Sequence, residues 1–201
     1  MFSINDYKHK VKYDLELNKH YFKIGYSYKH KGPSWVWYRL SKNKIDKKNI
    51  KRRCTFKPDY NLHFHYIVNL NDYVLVDYDI GHLANDADFD YSYKSLKQTY
   101  LLSNTVPQNK GLNRGCWLAA ERYTRYITRK LKYVYVINLL LYDELYIGNK
   151  VHVPKTLIKI VINKKNKFLK IFKFDRNDKK IDRDKNIISY EKLMFTLKDN
   201  H

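Results

Sequence analysis

The stretch Val76–Asp90 reads VDYDIGHLANDADFD and lies in the middle of a strongly basic chain. A run rich in β-branched and aromatic residues, YVLVDYD at 73–79, leads into it and predicts a strand ending at Ile80-Gly81-His82. Beyond His82 the chain turns to Asp, Ala and Asn without a regular period. Taken alone, His82 has two readings: an ordinary histidine closing a strand, or a base held near carboxylates. The residues downstream decide between them.

The segment LLSNTVPQNKG at 101–111 cannot continue a helix, because Pro107 has no N–H to donate and disfavours helical backbone at Val106. It predicts an irregular loop containing Asn104. From Leu112 to about Lys132 the pattern turns helical, with Leu112, Cys116, Ala119 or Ala120, Tyr123 and Ile127 at helical spacing. Gly115 weakens its first turn slightly. Asn113, Trp117, Glu121 and Arg125 are each four apart and share one stripe of that helix. This stripe also has two readings. A solvated face would gain from the Glu121–Arg125 pair. A site wall would aim an amide, a carboxylate and a guanidinium at a phosphate and a metal.

Further out, strands are predicted at 21–28, 35–41 and 133–141, with later strands through 146–174 joined by a Lys-Asn turn at 163–167. Residues 42–54 form a charged loop, 93–99 a short helix, and SYEKLMFTL near the C-terminus a closing helix. Strands, then a helix, then strands indicate an α+β fold. The length suits one domain, 1–201, with its core at about 20–175 and a charged extension over 176–201.

Forty Lys and Arg against twenty Asp and Glu give a net charge of +20. Such a chain attracts polyanions, nucleic acid first and an anionic membrane second. An AT-rich coding sequence accounts for the abundant Lys, Asn, Ile and Tyr, but not for the shortage of carboxylates. No strongly amphipathic basic helix favours the membrane. No apolar run is long enough for a signal peptide or a bilayer span, so a soluble intracellular protein is expected. Cys54 and Cys116 make neither a disulfide framework nor a ligand cluster.

DIGHLANDADF followed by LLSNTVPQNKGLNRGCWLAAERYTR resembles the DNA/RNA non-specific endonuclease family, a ββα-metal (His-Me finger) group. Asp79, Gly81, His82, Leu83 and Ala84 match its first motif. Leu102, Ser103, Asn104, Pro107 and Gln108 match the second. Leu112, Asn113, Gly115, Trp117 and Glu121 match the third. Weaker matches at GPSWVWYRL (32–40), RRCTFKPD (52–59) and IGNKVHVPKTLIKIVI (147–162) extend the likeness over most of the chain.

The resemblance implies a ββα-metal core with an antiparallel sheet and a long metal-bearing helix. It implies hydrolysis of DNA and RNA to 5′-phosphate and 3′-hydroxyl ends with Mg²⁺, for which Mn²⁺ can substitute. His82 would be the general base and Asn113 the metal ligand. Glu121 would reach the metal through water, and Asn104 would orient the site. Arg52 or Arg53 would contact the phosphate, with Arg125, Lys51 and Lys57 adding substrate contacts. The family also leaves room for a homodimer and for a protein inhibitor. One departure stands out. Ile80 replaces the family's arginine and cannot bond a phosphate or a carboxylate. Either a neighbouring cation takes over, or the chain is a weak or inactive nuclease that binds nucleic acid. His63 and His65, two apart on an expected strand, lack a third ligand and are read as structural.

Overall fold

Strict side-chain alternation on long apolar strands builds a sheet that is buried on both faces. The computed structural model describes residues 7, 10–47, 49–74 and 77–198. Strands β1 (Leu15–Lys19), β2 (Phe22–Ser27) and β3 (Gly32–Ser41) are followed by the short helix α1 (Lys42–Ile45). Then come β4 (Tyr78–His82), α2 (Asp86–Phe89), α3 (Tyr93–Thr99) and β5 (Thr105–Asn109). The helix α4 (Leu118–Leu131) precedes β6 (Tyr133–Ile147), β7 (Val151–Asn163) and β8 (Phe168–Asp175). Helices α5 (Arg183–Asn186) and α6 (Tyr190–Lys198) complete the chain.

Six strands form one antiparallel sheet in the order β1-β2-β3-β6-β7-β8, and β4 pairs with β5 in a separate ribbon. On β6, Val134, Val136 and Leu140 face one core, while Ile137, Leu139 and Leu141 face the other. On β7, Leu157 and Val161 join the first core, and Ile158, Ile160 and Ile162 the second. The first core is closed by Leu83, Val106, Leu112, Trp117 and Ala120 from the ribbon and the helix. Tyr7, Val11, Leu193 and Leu197 close the second. The C-terminal segment is therefore more than a charged extension. The core runs past the expected limits of 20–175 at both ends, because the second face of the sheet needs a cover.

Three expectations change. The loop at 101–111 contains β5, with Pro107 opposite Ile80 in the ribbon. The strand expected at 73–79 starts only at Tyr78, after a 3₁₀ turn at Leu70–Tyr73, and residues 75–76 lie outside the described residues. His63 and His65 flank and enter a 3₁₀ turn at Phe64–Tyr66, where both are exposed.

Candidate active site

The ribbon sets the position of His82. It is the last residue of β4 and pairs with Thr105 at the start of β5. A Cβ at Gly81 would stand 2.3 Å from Cδ of Gln108, so any larger residue would have to displace that buried side chain. The turn after His82 is held by Asn104, which is fully buried. Its Oδ1 accepts from the Ala84 N–H at 2.9 Å, and its Nδ2 donates to the Ala84 and Thr99 carbonyls at 2.9 Å. The Asn104 backbone carbonyl takes the Leu83 N–H at 3.0 Å. Asn104 thus fixes the backbone beside His82 and touches it through that backbone alone.

The helix then runs alongside this segment. Asn113 Nδ2 donates to Asp79 Oδ2 at 2.9 Å, and Trp117 Nε1 to the His82 carbonyl at 3.3 Å. Glu121 meets the Asn85 side chain, and Arg125 Nη1 donates to Asp88 Oδ1 at 3.1 Å. Helix steps of four thus match steps of three on the strand and turn. The stripe is no solvated face, since Trp117 and Glu121 are buried. Its start is irregular: residues 112–117 form a π-helical turn, and Gly115 adopts φ −104° and ψ −106°. A Cβ there would come within 2.1 Å of the Lys179 carbonyl oxygen, so the kink and the glycine go together.

His82 is partly exposed, but its Nε2 is closed from solvent and has no partner among the described residues. Phe56 and Tyr100 flank the ring at 4.9 and 4.8 Å between centroids. Burial pushes the imidazole down to about 4, Asp86 opposes this and Arg53 adds to it. The ring is neutral at pH 7 and can accept a proton.

Beneath the helix lies a buried polar cluster that the sequence did not disclose. Lys159 is fully buried on β7 and donates from Nζ to Asn138 Oδ1 at 2.9 Å. Asn138 Nδ2 donates to the Leu83 carbonyl at 2.8 Å, next to His82. Lys159 Nζ also stands 4.1 Å from the Trp117 ring centroid. Burial drives Glu121 up and Lys159 down, and each steadies the charge of the other. Asp88, raised by burial, receives Arg125 and the Tyr38 hydroxyl. Arg125 was expected at the substrate. It is instead committed to Asp88 and Asn85.

A cleft of about 400 Å³ is lined by Arg52, Arg53, Lys57 and Tyr100 among others; His82 does not line it and is joined to it through the Tyr100 ring that packs against the imidazole. Arg53 is braced by Asp90 at 3.1 Å and Asp86 at 3.5 Å, and its charge acts on His82. Of Arg52 and Arg53, Arg53 is the one whose charge is felt at His82. Lys51 is exposed but does not line the cleft.

The donor set fits a hard divalent cation. Such an ion takes oxygen ligands and keeps much of its water. Because Asn113 Nδ2 is given to Asp79, its Oδ1 is turned away from the carboxylate. Glu121 Oε1 is buried without a partner among the described residues, an acceptor suited to a water. No cluster of three or more His, Cys, Asp or Glu occurs among the described residues.

The family model for DNA/RNA non-specific endonuclease matches residues 3–194. The chain belongs to this family. It is 34% identical over 106 residues to human "Endonuclease G, mitochondrial", covering 53% of this chain and 36% of that protein. It is 31% identical over 115 residues to zebrafish (Danio rerio) "Nuclease EXOG, mitochondrial", covering 57% and 34%. It is 32% identical over 132 residues to the Saccharomyces cerevisiae "Mitochondrial nuclease", covering 65% and 40%. The chain thus spans well under half the length of these relatives. The fold is similar to that in the crystal structure of an EndoG/EndoGI complex, with TM-score 0.82 and 23% identity over 97% of this chain and 89% of that one. No helix among the described residues is long and apolar enough to cross a membrane.

Proposed function

We propose that this member of the family is a Mg²⁺-dependent endonuclease that hydrolyses DNA and RNA with little sequence preference, leaving 5′-phosphate and 3′-hydroxyl ends. The observation that supports this reading is the ordered contact of the helix stripe with the His82 strand, Asn113 to Asp79 and Trp117 to the His82 carbonyl, next to an imidazole that burial keeps neutral. His82 takes the proton of the attacking water on its imidazole, whose Nε2 is closed from solvent. Asn113 would hold the ion, with Glu121 supporting it through water, and the ion would supply Lewis acidity to the reacting phosphate. Mn²⁺ has the same preference for oxygen donors and can substitute.

Asn104 keeps the His82 backbone in place. Arg53 offsets charge on the phosphate, and Arg52 and Lys57 add attraction along the cleft. The structural neighbour is named for an inhibited complex. A protein inhibitor for this chain is consistent with that neighbour.

A second reading has one specific observation behind it. Ile80 lies against the apolar cluster of Val68, Leu102 and Val151, where the family carries arginine. A nucleic-acid-binding protein without activity would show salt-sensitive binding that survives metal removal. The deciding experiment is degradation of plasmid and RNA in Mg²⁺ against chelator, with His82→Ala alongside. Metal-dependent cleavage lost in His82→Ala supports the nuclease. Equal activity, or equal inertness, of the two proteins overturns it.

A further inference from the structure

The cleft next to Tyr100, one ring away from His82, has a neighbour across Leu101. A second depression, of about 590 Å³, opens on the other side of α3, and the two share Lys97 and Leu101 in their walls. Helix geometry explains the sharing. Tyr93, Lys97 and Tyr100, spaced four and three apart, turn toward the first cleft. Lys94, Lys97 and Gln98 turn toward the second, whose far wall is His20 and Tyr21 at the β1–β2 turn. Lys97 stands on the crest between them.

Charge and chemistry run continuously along this path. Arg52, Arg53 and Lys57 lead to Lys97 and then Lys94, and no carboxylate among the described residues lines either depression. Asp86 and Asp90 are tied to Arg53 and to the Tyr100 hydroxyl. Tyr93 is 60% exposed on the rim, an aromatic face that fills no core. Gln98 adds an amide whose Oε1 has no partner among the described residues. A duplex can meet such a path only with its phosphates. An unpaired base can also use the tyrosine face.

We propose that a single nucleic-acid strand continues from the His82 cleft over α3 into the groove between α3 and the β1–β2 turn. Lys97 and Lys94 take successive phosphates, and Tyr93 stacks on an unpaired base. This rests on the reading of the His82 cleft as a phosphodiester site.

The test measures binding and cleavage separately. Anisotropy of labelled oligo-dT, about 4 and about 16 nucleotides long, is followed in excess EDTA. Wild type is compared with Lys94→Glu, Tyr93→Ala and Tyr93→Phe at matched thermal midpoints. The long strand is expected to bind wild type about tenfold tighter than the short one. Lys94→Glu should erase most of that preference, flatten the log–log salt slope by about 0.7, and leave Mg²⁺-dependent cutting of the short strand within about twofold. Tyr93→Ala should weaken the long strand about tenfold, Tyr93→Phe should not, and a duplex of equal length should be unaffected. Unchanged long-strand binding in Lys94→Glu overturns the path. An equal loss for duplex in Tyr93→Ala overturns its single-stranded character. A protein that shows the length preference but cuts nothing defeats the nuclease reading and leaves the groove standing.

Discussion

Arg114 closes a two-bond fork on Asp79, Nη2 to Oδ1 at 2.7 Å and Nε to Oδ2 at 2.8 Å, and Asn113 donates to the same Oδ2. The hydrogen bonds from Arg114 and Asn113 hold the Asp79 carboxyl below its usual range, although burial opposes them. The chain has therefore placed a guanidinium one residue from the amide proposed to hold the ion, on the helix and not on the strand. Arg114→Gln is expected to weaken the Mg²⁺ dependence of cleavage by about tenfold, as the loss of supports behind a metal ligand commonly does. The side chain is 67% exposed, so the change in stability should stay below about 1 kcal/mol. Arg114→Lys should not rescue, because an ammonium cannot form the fork. A Mg²⁺ titration of activity with all three proteins checks this. Unchanged half-saturation in Arg114→Gln would remove Arg114 from the site.

If Arg114 does the work of the absent arginine, restoring one at position 80 should bring no benefit. Ile80 packs against a small cluster with Val68, Leu102 and Val153, and Pro107 is its partner across the ribbon. Ile80→Arg is expected to cost about 2 kcal/mol of stability through partial burial of an unpaired charge. Activity should not rise above wild type. Urea denaturation and a plasmid assay test both parts, and a gain in activity would show that the isoleucine is a genuine deficit.

Lys159 and Asn138 are register partners on β7 and β6, and together they carry a hydrogen-bond chain to the Leu83 carbonyl. Lys159→Met removes the cation that faces Glu121 and Asp88 within the core. A loss of about 3–5 kcal/mol is expected, because two buried carboxylates lose a counter-charge. Adding Asn138→Leu should cost less than the sum of the single changes, since both belong to one network. Chemical denaturation of the two single variants and the double variant measures the coupling. Strict additivity would show that the chain of bonds does not act as a unit.

The sequence made some of this legible and hid the rest for physical reasons. His82 and the stripe from Asn113 to Arg125 could be placed because a helix fixes which residues share a face. The fate of Arg125 could not, because Asp88 joins it only through the turn that follows β4. Strand β5 was obscured by Pro107, which has no donor for a ladder but fits a two-stranded ribbon. Lys159 and Asn138 carried a faint signal as polar interruptions in the apolar runs LIKIVI and VINLLL. That they stand opposite one another depends on strand register, which spacing along the chain does not reveal.

His30 offers a stability test away from the chemistry. Its ring lies 5.0 Å from that of His152, and burial, His152 and Lys29 push it down to about 4. The unfolded chain protonates this group near 6.5, while the folded one waits until about 4. Between those values the unfolded state binds more protons, so stability falls as the pH falls. Buried Glu121 and Asp88, shifted upward, act in the opposite sense and are common to both proteins compared. His30→Gln should therefore lose less stability than wild type between pH 7 and about 4. Equal losses in urea midpoints would contradict the assignment.

The acid limb of the reaction should report His82 directly. A base pushed down to about 4 is already neutral at pH 5 to 6, so kcat should hold in a range where an ordinary histidine would be protonated. Its neighbours pull in opposite directions, Asp86 raising the imidazole and Arg53 lowering it. Removing Arg53 charge leaves a proton better stabilised on the ring, so Arg53→Gln should move the limb to higher pH. Asp86→Asn should move it to lower pH. The measurement is kcat against pH at saturating substrate and metal for wild type and both variants. Shifts of the same sign in the two variants, or a wild-type limb at 6.5 or above, would mean that a group other than His82 carries the proton.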